Sequence, residues 1–568
     1  MQDQSTFPDN QTSSKLPGLS FPTQLVENAQ TLLQLVYPGQ DVENLTQIVL
    51  KTFWPGAMLP RKRGRTPSVS LWSQKDSYLI TYGNSFVDGE FKPLDLLHDF
   101  VKSNLSGFVS GVHILPYFPF TSDDGFAITD YREVNSALGS WDDIGRIADE
   151  FTLMSDLVIN HCSSQSKMFS DYRQGHEPYA GYFFEASPDD DLSCVVRPRA
   201  HPLLREVETV NGAKHVWCTF SHDQVDFDFS NPTVLLEFLD ILRCHIEKGV
   251  RTVRLDAIAF LWKEPGTTSI HLPQTHNSVR LLRLLVDYNE DAVILITETN
   301  VPNAENLSYF GNRNEAHAVY NFPLPPLLLH GLLNGTSHHL NAWQMSMPPA
   351  QLGCTYFNFT ASHDGIGVRP AEGFLSDEEI DQMIETVTDF GGRVSMRETA
   401  DKGLRPYEIN VSLFDALGGT VKGTDGFQKQ RFLCGQIIAM GLEGIPAFYV
   451  HSLLATPNDH EGVERMGYNR AINRHRWQYP ELKQTLAEPT SNASIILGEM
   501  KRILSIRKQQ SAFHPNATQF TLQLGDKLFG FWRQSMDRAQ SIFAIHNLSA
   551  EPVSIPAMSL NLIGGDQW

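Results

Sequence analysis

The sequence lacks the features that would direct it to a membrane or a nucleic acid. No apolar run approaches the roughly 18 residues that a membrane-spanning helix needs. The N-terminal stretch MQDQSTFPDNQTSSKLPG has no basic-then-apolar signal pattern. Basic residues are too few for a nucleic-acid surface, because 45 Lys and Arg stand against 65 Asp and Glu, a formal net charge of −20. We therefore expect a cytoplasmic protein without a membrane or nucleic-acid partner.

Cysteine is also sparse, and its spacing argues against a disulfide scaffold or a metal site. The chain has no CxxC pair, and its six cysteines are scattered: Cys162, Cys194, Cys218, Cys244, Cys354 and Cys434. We interpret them as reduced residues that mostly serve packing, as is usual in the cytoplasm.

From about residue 70 onward, apolar strand candidates alternate with helical stretches. The strand candidates are SYLITYG, GVHILPYFP, MSDLVINH, RTVRLDAIA, AVILITETN, CTYFNFTASHD and IPAFYV. Helical candidates such as WDDIGRIADEF lie between them. Alternation of about eight units predicts an α/β fold, a (β/α)8 TIM barrel with parallel strands and inserted loop domains.

Segments that depart from the alternation suggest where other units lie. The C-terminal runs TQFTLQL, KLFGFWRQS, SIFAIHNLS and EPVSIPA each read as a short strand of a small antiparallel domain. We predict an N-terminal extension (1–70, disordered to about residue 20 and then helical), barrel segments (71–162, 231–367 and 426–510), an inserted domain (163–230), a second inserted loop region (368–425) and a C-terminal β domain (511–568).

The apolar run TVRLDAIAF carries two charged residues on one side of a predicted buried strand. Arg254 and Asp256 are two positions apart, so their side chains point the same way. A buried charge is costly unless it is compensated. The pair is therefore either a structural ion pair or a catalytic carboxylate whose pKa is held down by the cation.

Other polar groups also follow apolar strands. Glu298 ends VILITETN, His363 and Asp364 follow YFNFTAS, and His161 follows DLVIN. Each alone could be a helix cap or a satisfied core group. In a (β/α)8 barrel, however, strand ends converge at one mouth, which is where active sites lie. The recurrence favours a shared site.

Three carboxylates without metal-ligand spacing suit glycoside cleavage. Asp256 would be the nucleophile, since Arg254 beside it would keep the carboxylate ionised. Glu298 has no cation beside it in the sequence, so it would keep a raised pKa and act as the acid and then the base. Asp364, next to His363, would stabilise the positively charged transition state.

These residues form a pattern that resembles a known family. DLVINH, VRLDAIA, ITET and ASHDG are similar, in this order, to four strand-end motifs of the α-amylase superfamily of glycoside hydrolases. The resemblance implies α-glucosidic substrates, retention of configuration, and the three carboxylate roles just given. It also implies that Arg254, His161 and His363 contact the sugar, with no required metal or other cofactor.

Within that superfamily, the segments LPYFPFTSDDGFAITDYREVNSALGSWDDI, RPRAHPLL and AINRHRW resemble the sucrose-phosphorylase branch. The resemblance implies that Asp123 and Arg474 hold the terminal glucose, with Phe126 close to it. It implies that Arg199 and Tyr407 lie on mobile loops that alternately meet phosphate and acceptor. Without it, Arg199 would read as an exposed loop arginine, although its forked donors suit a phosphate dianion.

The implied reaction is phosphorolysis by double displacement. Inorganic phosphate would be the co-substrate, a sugar the other small-molecule partner, and α-glucose 1-phosphate the product. Phosphate rather than water rests on the resemblance alone. Members of the branch are monomers or homodimers. An α-glucosidase, a glucosyltransferase or a non-catalytic amylase-like binding domain remain alternatives, although the last should lack one of the carboxylates.

The acceptor positions depart from the pattern usual in sucrose phosphorylases. Asn300 stands where a His is usual, Glu408 where a Gln is usual, and Phe260 where a Tyr is frequent. Lost polar partners weaken the case for fructose. ETNVP, RPYEIN and the long N-terminal extension instead resemble glucosylglycerate phosphorylases, with glucosylglycerol phosphorylases close behind. Arg199 or Arg197 could receive a glycerate carboxylate, whereas Glu408 would repel it unless its charge is screened.

Overall fold

In the computed structural model, residues 21–56, 71–399 and 403–560 are described, so the predicted disorder of residues 1–20 lies outside them. Eight parallel strands close into a barrel in which each strand pairs with its neighbours in the chain and the eighth pairs with the first. The predicted (β/α)8 barrel is confirmed. The barrel strands are β1 (Tyr78–Thr81), β2 (Gly111–Ile114), β3 (Thr152–Val158), β4 (Val250–Asp256), β5 (Ile294–Thr297), β6 (Ala318–Tyr320), β7 (Thr355–Asn358) and β8 (Ile445–Tyr449).

Seven of these strands overlap the predicted runs, and one was missed. Strand β6 has three residues and is followed directly by the Pro-rich start of a helix, so it shows no usable periodicity. Its register comes from backbone pairing with β5 and β7 instead. Tertiary pairing therefore specifies a strand that local sequence does not.

Helices cover the outside of the barrel and bury its apolar strands. None of the helices in the described part of the chain is long and apolar enough to cross a membrane. The helices are α1 (Thr23–Val36), α2 (Val42–Phe53), α3 (Pro93–Leu105), α4 (Trp141–Glu150), α5 (Lys167–Arg173), α6 (Pro232–Glu247), α7 (Pro273–Asp287), α8 (Asn303–Leu307), α9 (Leu324–Asn334), α10 (His338–Ser346), α11 (Asp377–Asp389), α12 (Leu413–Ala416), α13 (Gln428–Gly441), α14 (Val450–Leu453), α15 (His460–Met466), α16 (Tyr479–Ala487) and α17 (Asn492–Arg507).

The N-terminal extension forms two of these helices and joins the core. Leu25, Ala29 and Leu33 follow one another at helical spacing and are all fully buried on α1. Helix α1 packs against α7, and α2 packs against α6. The Tyr37 hydroxyl, between α1 and α2, donates a buried hydrogen bond of 3.0 Å to the Phe229 carbonyl. The extension is thus tied to the middle of the barrel.

Two long segments after β3 and β7 carry antiparallel hairpins at the carboxyl ends of the strands. Their exact limits, 163–230 and 368–425, remain predictions. The short pairs outside the barrel are His161–Ser163 with Gln224–Asp226, Leu204–Thr209 with Gly212–Trp217, Arg393–Thr399 and Ile366–Gly367 with Gly403–Asn410, Gly419–Thr420 with Gly423–Thr424, and Phe86–Val87 with Trp477–Gln478. The hairpin Arg393–Thr399 with Gly403–Asn410 is called the acceptor hairpin below.

The C-terminal sheet has three antiparallel strands, Thr518–Leu522, Leu528–Gln534 and Ser541–Asn547. A fourth strand, predicted at EPVSIPA, is wrong: this run is described and forms no strand. Pro552 and Pro556 lack the backbone N–H that a paired strand needs.

Candidate active site

The three predicted carboxylates converge at the carboxyl end of the barrel. Asp256 is the last residue of β4, Glu298 follows β5 directly, and Asp364 lies in the loop after β7. The backbone N–H of Glu298 donates to the Leu255 carbonyl, and the N–H of Ala257 donates to Glu298 Oε2 at 3.1 Å. Neighbouring strand ends therefore hold the first two acids side by side.

These acids line one cavity together with most of the other predicted site residues. Of the predicted residues, Arg474 does not line this cavity, and Arg197, the alternative to Arg199, lines a separate cavity. The remaining predicted lining residues are Asp123, Phe126, His161, Arg199, Arg254, Asn300, His363, Tyr407 and Glu408.

Arg254 forms an ion pair with Asp256, as the first interpretation of the motif predicts, and it also lies close to Glu298. Its Nη1 donates to Asp256 Oδ1 at 2.7 Å and also to Asp156 of β3. Its Nη2 lies 3.8 Å from Glu298 Oε2. His113 Nε2 lies 2.7 Å from the other oxygen of Asp156. One guanidinium therefore contacts both acids of the proposed reaction.

The predicted electrostatics need a correction at Asp256 but not at Glu298. Burial raises the pKa of Asp256 well above its usual value, and the Glu298 charge raises it further, so the predicted low pKa is wrong. Burial also raises the pKa of Glu298, in the predicted direction, although Arg254 approaches Glu298 from the neighbouring strand and opposes the shift. Two crowded carboxyls favour sharing one proton. Arg254 is closer to Asp256 than to Glu298, so the negative charge is more stable on Asp256 and the shared proton on Glu298.

Asp364, in contrast, is held in its ionised state. Burial acts to raise its pKa, but Arg470, His363 and Arg474 hold it well below the usual range. Arg470 Nη1 is 2.8 Å from Asp364 Oδ1, and His363 Nε2 is 3.3 Å away. The turn that follows uses Gly365 at φ +94°, a conformation that favours glycine. Asp364 is therefore a fixed negative charge facing the cavity.

One wall of the cavity is built from the buried rings of Phe126, His161 and His363. We call it the glucose wall because the resemblance implies that it holds the glucose. Phe126 lies parallel to His363, with ring centroids 5.0 Å apart. His161 Nε2 lies 3.1 Å from the Phe126 carbonyl. Burial lowers the pKa of His161 and, strongly, that of His363, so both imidazoles are neutral and can hydrogen-bond to sugar hydroxyls. Asp123, by contrast, has 31% of its side chain exposed, near Arg470 and Arg474.

A second wall, called the acceptor wall because the resemblance implies that it meets phosphate and acceptor, is formed by Arg199 and Asn300 from loops and by Tyr407 and Glu408 from the acceptor hairpin. The Arg199 guanidinium lies over the Tyr407 ring, 5.0 Å from its centroid, and 26% of the Arg199 side chain is exposed. Asn300 Oδ1 is buried and has no hydrogen-bond partner among the described residues. This wall therefore offers unused polar groups to whatever occupies the cavity beside Glu298.

Arg470 is a site residue that the sequence interpretation missed. It lines the cavity and forms a forked ion pair with Glu408, Nε donating to Oε2 at 2.9 Å, while its Nη1 holds Asp364. Glu408 is therefore neutralised, and the predicted repulsion of an anion does not follow. The only signal in the sequence was a second arginine four residues before Arg474, in NRAINR.

Arg474 lies behind the cavity wall rather than in it. Its Nη1 is 2.7 Å from Asp124 and 3.7 Å from Asp123, and its Nε donates to the His363 carbonyl at 2.9 Å. Arg474 therefore supports the glucose wall from behind, through its contacts with Asp124 and the His363 backbone. Two further lining residues that were not predicted, Phe220 and Gln224, come from the segment after β3.

Comparison with known proteins agrees with this geometry. Residues 106–355 match the catalytic domain of α-amylase. A glucosylglycerate phosphorylase of Allomeiothermus silvanus is 44% identical, covering 88% of this chain and 89% of the relative. A glucosylglycerate phosphorylase of Spirochaeta thermophila is 42% identical, covering 92% and 89%.

A solved structure shows the same fold. The crystal structure of sucrose 6F-phosphate phosphorylase from Thermoanaerobacter thermosaccharolyticum superimposes with a TM-score of 0.73 at 24% identity, covering 85% of this chain and 96% of the other. The chain therefore belongs to the α-amylase superfamily, in the branch formed by the glycoside phosphorylases.

Proposed function

We propose that this enzyme cleaves 2-O-α-glucosylglycerate with inorganic phosphate and releases glycerate and α-glucose 1-phosphate. The relatives named above are called glucosylglycerate phosphorylases, and they match along most of both chains. The cavity adds a physical reason, because it joins three carboxylates to an arginine on the acceptor side.

In the first step, the Asp256 carboxylate attacks the anomeric carbon while the bond from that carbon to the glycerate oxygen breaks. The departing oxygen takes the proton of Glu298. The product is a β-glucosyl ester of Asp256. Asp364 and the glucose wall stabilise the positive charge that develops on the ring. The raised pKa of Glu298 suits this step, since it keeps the proton available.

In the second step, a phosphate oxygen attacks the same carbon and the ester bond to Asp256 breaks. Glu298, now an anion, accepts a proton from phosphate. Two inversions retain the α configuration. Both steps use only side chains and phosphate, and we propose that neither a metal nor an organic cofactor takes part.

The observation that carries the proposal is the charge state of the acceptor wall. Arg470 neutralises Glu408 through a forked pair, whereas Arg199 lies 3.9 Å from Glu408 and stacks on Tyr407. Arg199 therefore keeps most of its donor capacity for a ligand. A guanidinium binds both carboxylate and phosphate oxygens well. The two anions of the reaction would then occupy the same place in turn.

The same wall argues against fructose as the preferred acceptor. Asn300 supplies a single amide, and Glu408 is already committed to Arg470. A site selective for a neutral sugar needs several free hydrogen-bonding groups to meet its hydroxyls. The wall instead offers a cation and few free neutral groups.

The test is a panel of glucosylglycerate, glucosylglycerol, sucrose and sucrose 6′-phosphate, each assayed with and without phosphate. Release of glucose 1-phosphate should be fastest from glucosylglycerate and should depend on phosphate. Fastest release from sucrose or glucosylglycerol would overturn the choice of acceptor. Free glucose formed at one rate with and without phosphate would overturn phosphorolysis and indicate a hydrolase.

A further inference from the structure

Outside the barrel, three side chains that can bind metals meet where α9, α10 and α11 pack together. They are His330 on α9, His339 on α10 and Glu379 on α11. His339 Nε2 lies 2.7 Å from Glu379 Oε1, and His330 Nε2 lies 3.8 Å from the same oxygen. One ligand atom from each residue lies within 4.8 Å of the other two. No step of the proposed reaction uses this cluster, which we call the three-helix cluster.

His330 has hydrogen-bonding capacity that its neighbours do not satisfy. The residue is only 3% exposed, and its Nδ1 is buried without a hydrogen-bond partner among the described residues. Its Nε2, the ring nitrogen that faces the cluster, lies too far from Glu379 Oε1 for a hydrogen bond. A metal ion between these two atoms would bridge the gap, whereas it would leave the surroundings of Nδ1 unchanged.

Glu379 is held so that one oxygen remains available. Its Oε2 accepts a hydrogen bond of 2.9 Å from the backbone N–H of Ser376, as part of the capping box that starts α11. The other oxygen, Oε1, faces both imidazoles. A hydrogen bond that fixes a ligating carboxylate from behind is typical of metal sites.

We propose that the three-helix cluster binds a divalent transition-metal ion, with Zn²⁺ the best match. Two imidazoles and a carboxylate are a donor set that zinc accepts. Ligand atoms about 2.0–2.2 Å from a tetrahedral ion lie roughly 3.3 Å apart, and the distances of 2.7 and 3.8 Å lie on either side of that value. Small side-chain shifts would complete the geometry. Water would take the fourth position, since Glu379 is partly exposed.

The position of the cluster indicates what the ion would do. Helix α9 follows barrel strand β6, whereas α11 belongs to the segment that leads from Asp364 to the acceptor hairpin. An ion shared by α9 and α11 would fasten the base of this segment to the barrel. The ion would therefore stabilise the fold and would take no part in the reaction at the carboxyl end of the barrel.

The test uses the full chain, stripped with EDTA, dialysed, and titrated with ZnCl2 in competition with a chromophoric chelator. We expect one tight site per chain. His339→Ala and Glu379→Gln should each weaken this site by at least tenfold. Glu379→Gln preserves the capping box, since Gln serves there as well as Glu, so loss of binding would not reflect loss of the helix. His338→Ala removes an exposed neighbouring histidine and is the matched control, which should bind as the unchanged chain does.

A thermal readout separates a specific site from incidental binding. Zinc at about 100 times its dissociation constant should raise the Tm of the unchanged chain by about 2–4 °C and leave that of His339→Ala unchanged. The kcat for glucosylglycerate should be the same with and without zinc. Absence of stoichiometric binding would overturn the proposal, as would binding and Tm shifts in Glu379→Gln and His339→Ala equal to those of the unchanged chain.

Discussion

The glucose wall and the acceptor wall of the cavity are held together differently. Behind the glucose wall, His113, Asp156 and Arg254 come from adjacent barrel strands, and contacts of 2.7 Å join His113 to Asp156 and Arg254 to Asp256. On the acceptor wall, Arg199 comes from a loop and Tyr407 from the acceptor hairpin, and the guanidinium stands 5.0 Å from the ring. Barrel strands thus position the residues proposed to break the bond, whereas segments outside the barrel position those proposed to bind the acceptor.

The strongest test of the glucose wall removes the nucleophile. Asp256→Asn keeps the shape but cannot form the glucosyl ester, so kcat should fall on the order of 10⁴-fold or more. The loss should be equal for every acceptor, since the glucose wall does not contact the acceptor. Steady-state assays with glucosylglycerate and sucrose would check it. A loss that differs widely between the two would contradict the division between the walls.

The next largest effect is expected at the acid. Glu298→Gln should lower kcat for glucosylglycerate by roughly 10²–10⁴-fold, because the departing oxygen no longer receives a proton. Glucosyl fluoride, whose leaving group needs no proton, should still glucosylate Asp256, and mass spectrometry would detect the trapped ester. Failure to form any ester would contradict the assigned role.

The pH profile offers a second readout of Glu298. Because burial raises its pKa, the unchanged enzyme should lose activity as pH rises through a value above the usual carboxyl range. The deprotonated form cannot donate. Glu298→Gln assayed with glucosyl fluoride should lack this alkaline decline in ester formation. If the decline were unaltered in this variant, the alkaline loss of activity would have to be assigned to a group other than Glu298.

Arg470 contacts both walls and should give a mixed effect. Arg470→Met removes the partner of Asp364 and leaves Glu408 buried without its cation, so kcat should fall about 10–100-fold and KM should rise. Loss of the cation also raises the pKa of Asp364, so activity should decline at a higher pH on the acid side. Kinetics across pH would check both.

A double variant sharpens this result. Adding Glu408→Gln to Arg470→Met removes the unpaired charge, so it should restore the acceptor KM but leave kcat low. Restoration of both would show that Arg470 acts on the acceptor wall alone. Restoration of neither would show that it acts through Asp364 alone.

The smallest effect is expected at the acceptor wall itself. Arg199→Ala should raise KM for phosphate and glucosylglycerate by roughly 10–100-fold, the value of one or two charge-assisted hydrogen bonds. Ester formation from neutral glucosyl fluoride should change by no more than about twofold. Arg173→Ala, which changes an exposed arginine at the end of helix α5 in the same inserted segment, is the matched control. A large loss with glucosyl fluoride would place Arg199 in the chemistry.

The two walls also differ in how far sequence predicts them. Asp256, Glu298 and Asp364 were predicted because each follows an apolar strand, and a closed barrel brings strand ends together. The pairing of Arg470 with Glu408 was not predicted, since the residues are 62 positions apart, one on the acceptor hairpin and the other after the last barrel strand. No local periodicity records such a contact.

The charge states show a second limit of sequence. The neighbour of Asp256 in the strand, Arg254, suggested a low pKa, but Arg254 also serves Asp156 and approaches Glu298. Burial of the whole mouth then outweighs it. Desolvation depends on every element that packs around the group, so it becomes visible only in the folded structure.

The N-terminal helices have a consequence for synthesis on the ribosome. Helices α1 and α2 emerge early, but their partners α6 and α7 are complete only at Glu247 and Asp287. At about 5–20 residues per second, the helices wait roughly 10–50 s. During that interval α1, which carries Leu25 and Leu33, has α2 beside it but lacks the surface of α7. A nascent-chain chaperone that recognises apolar helices would find its target there.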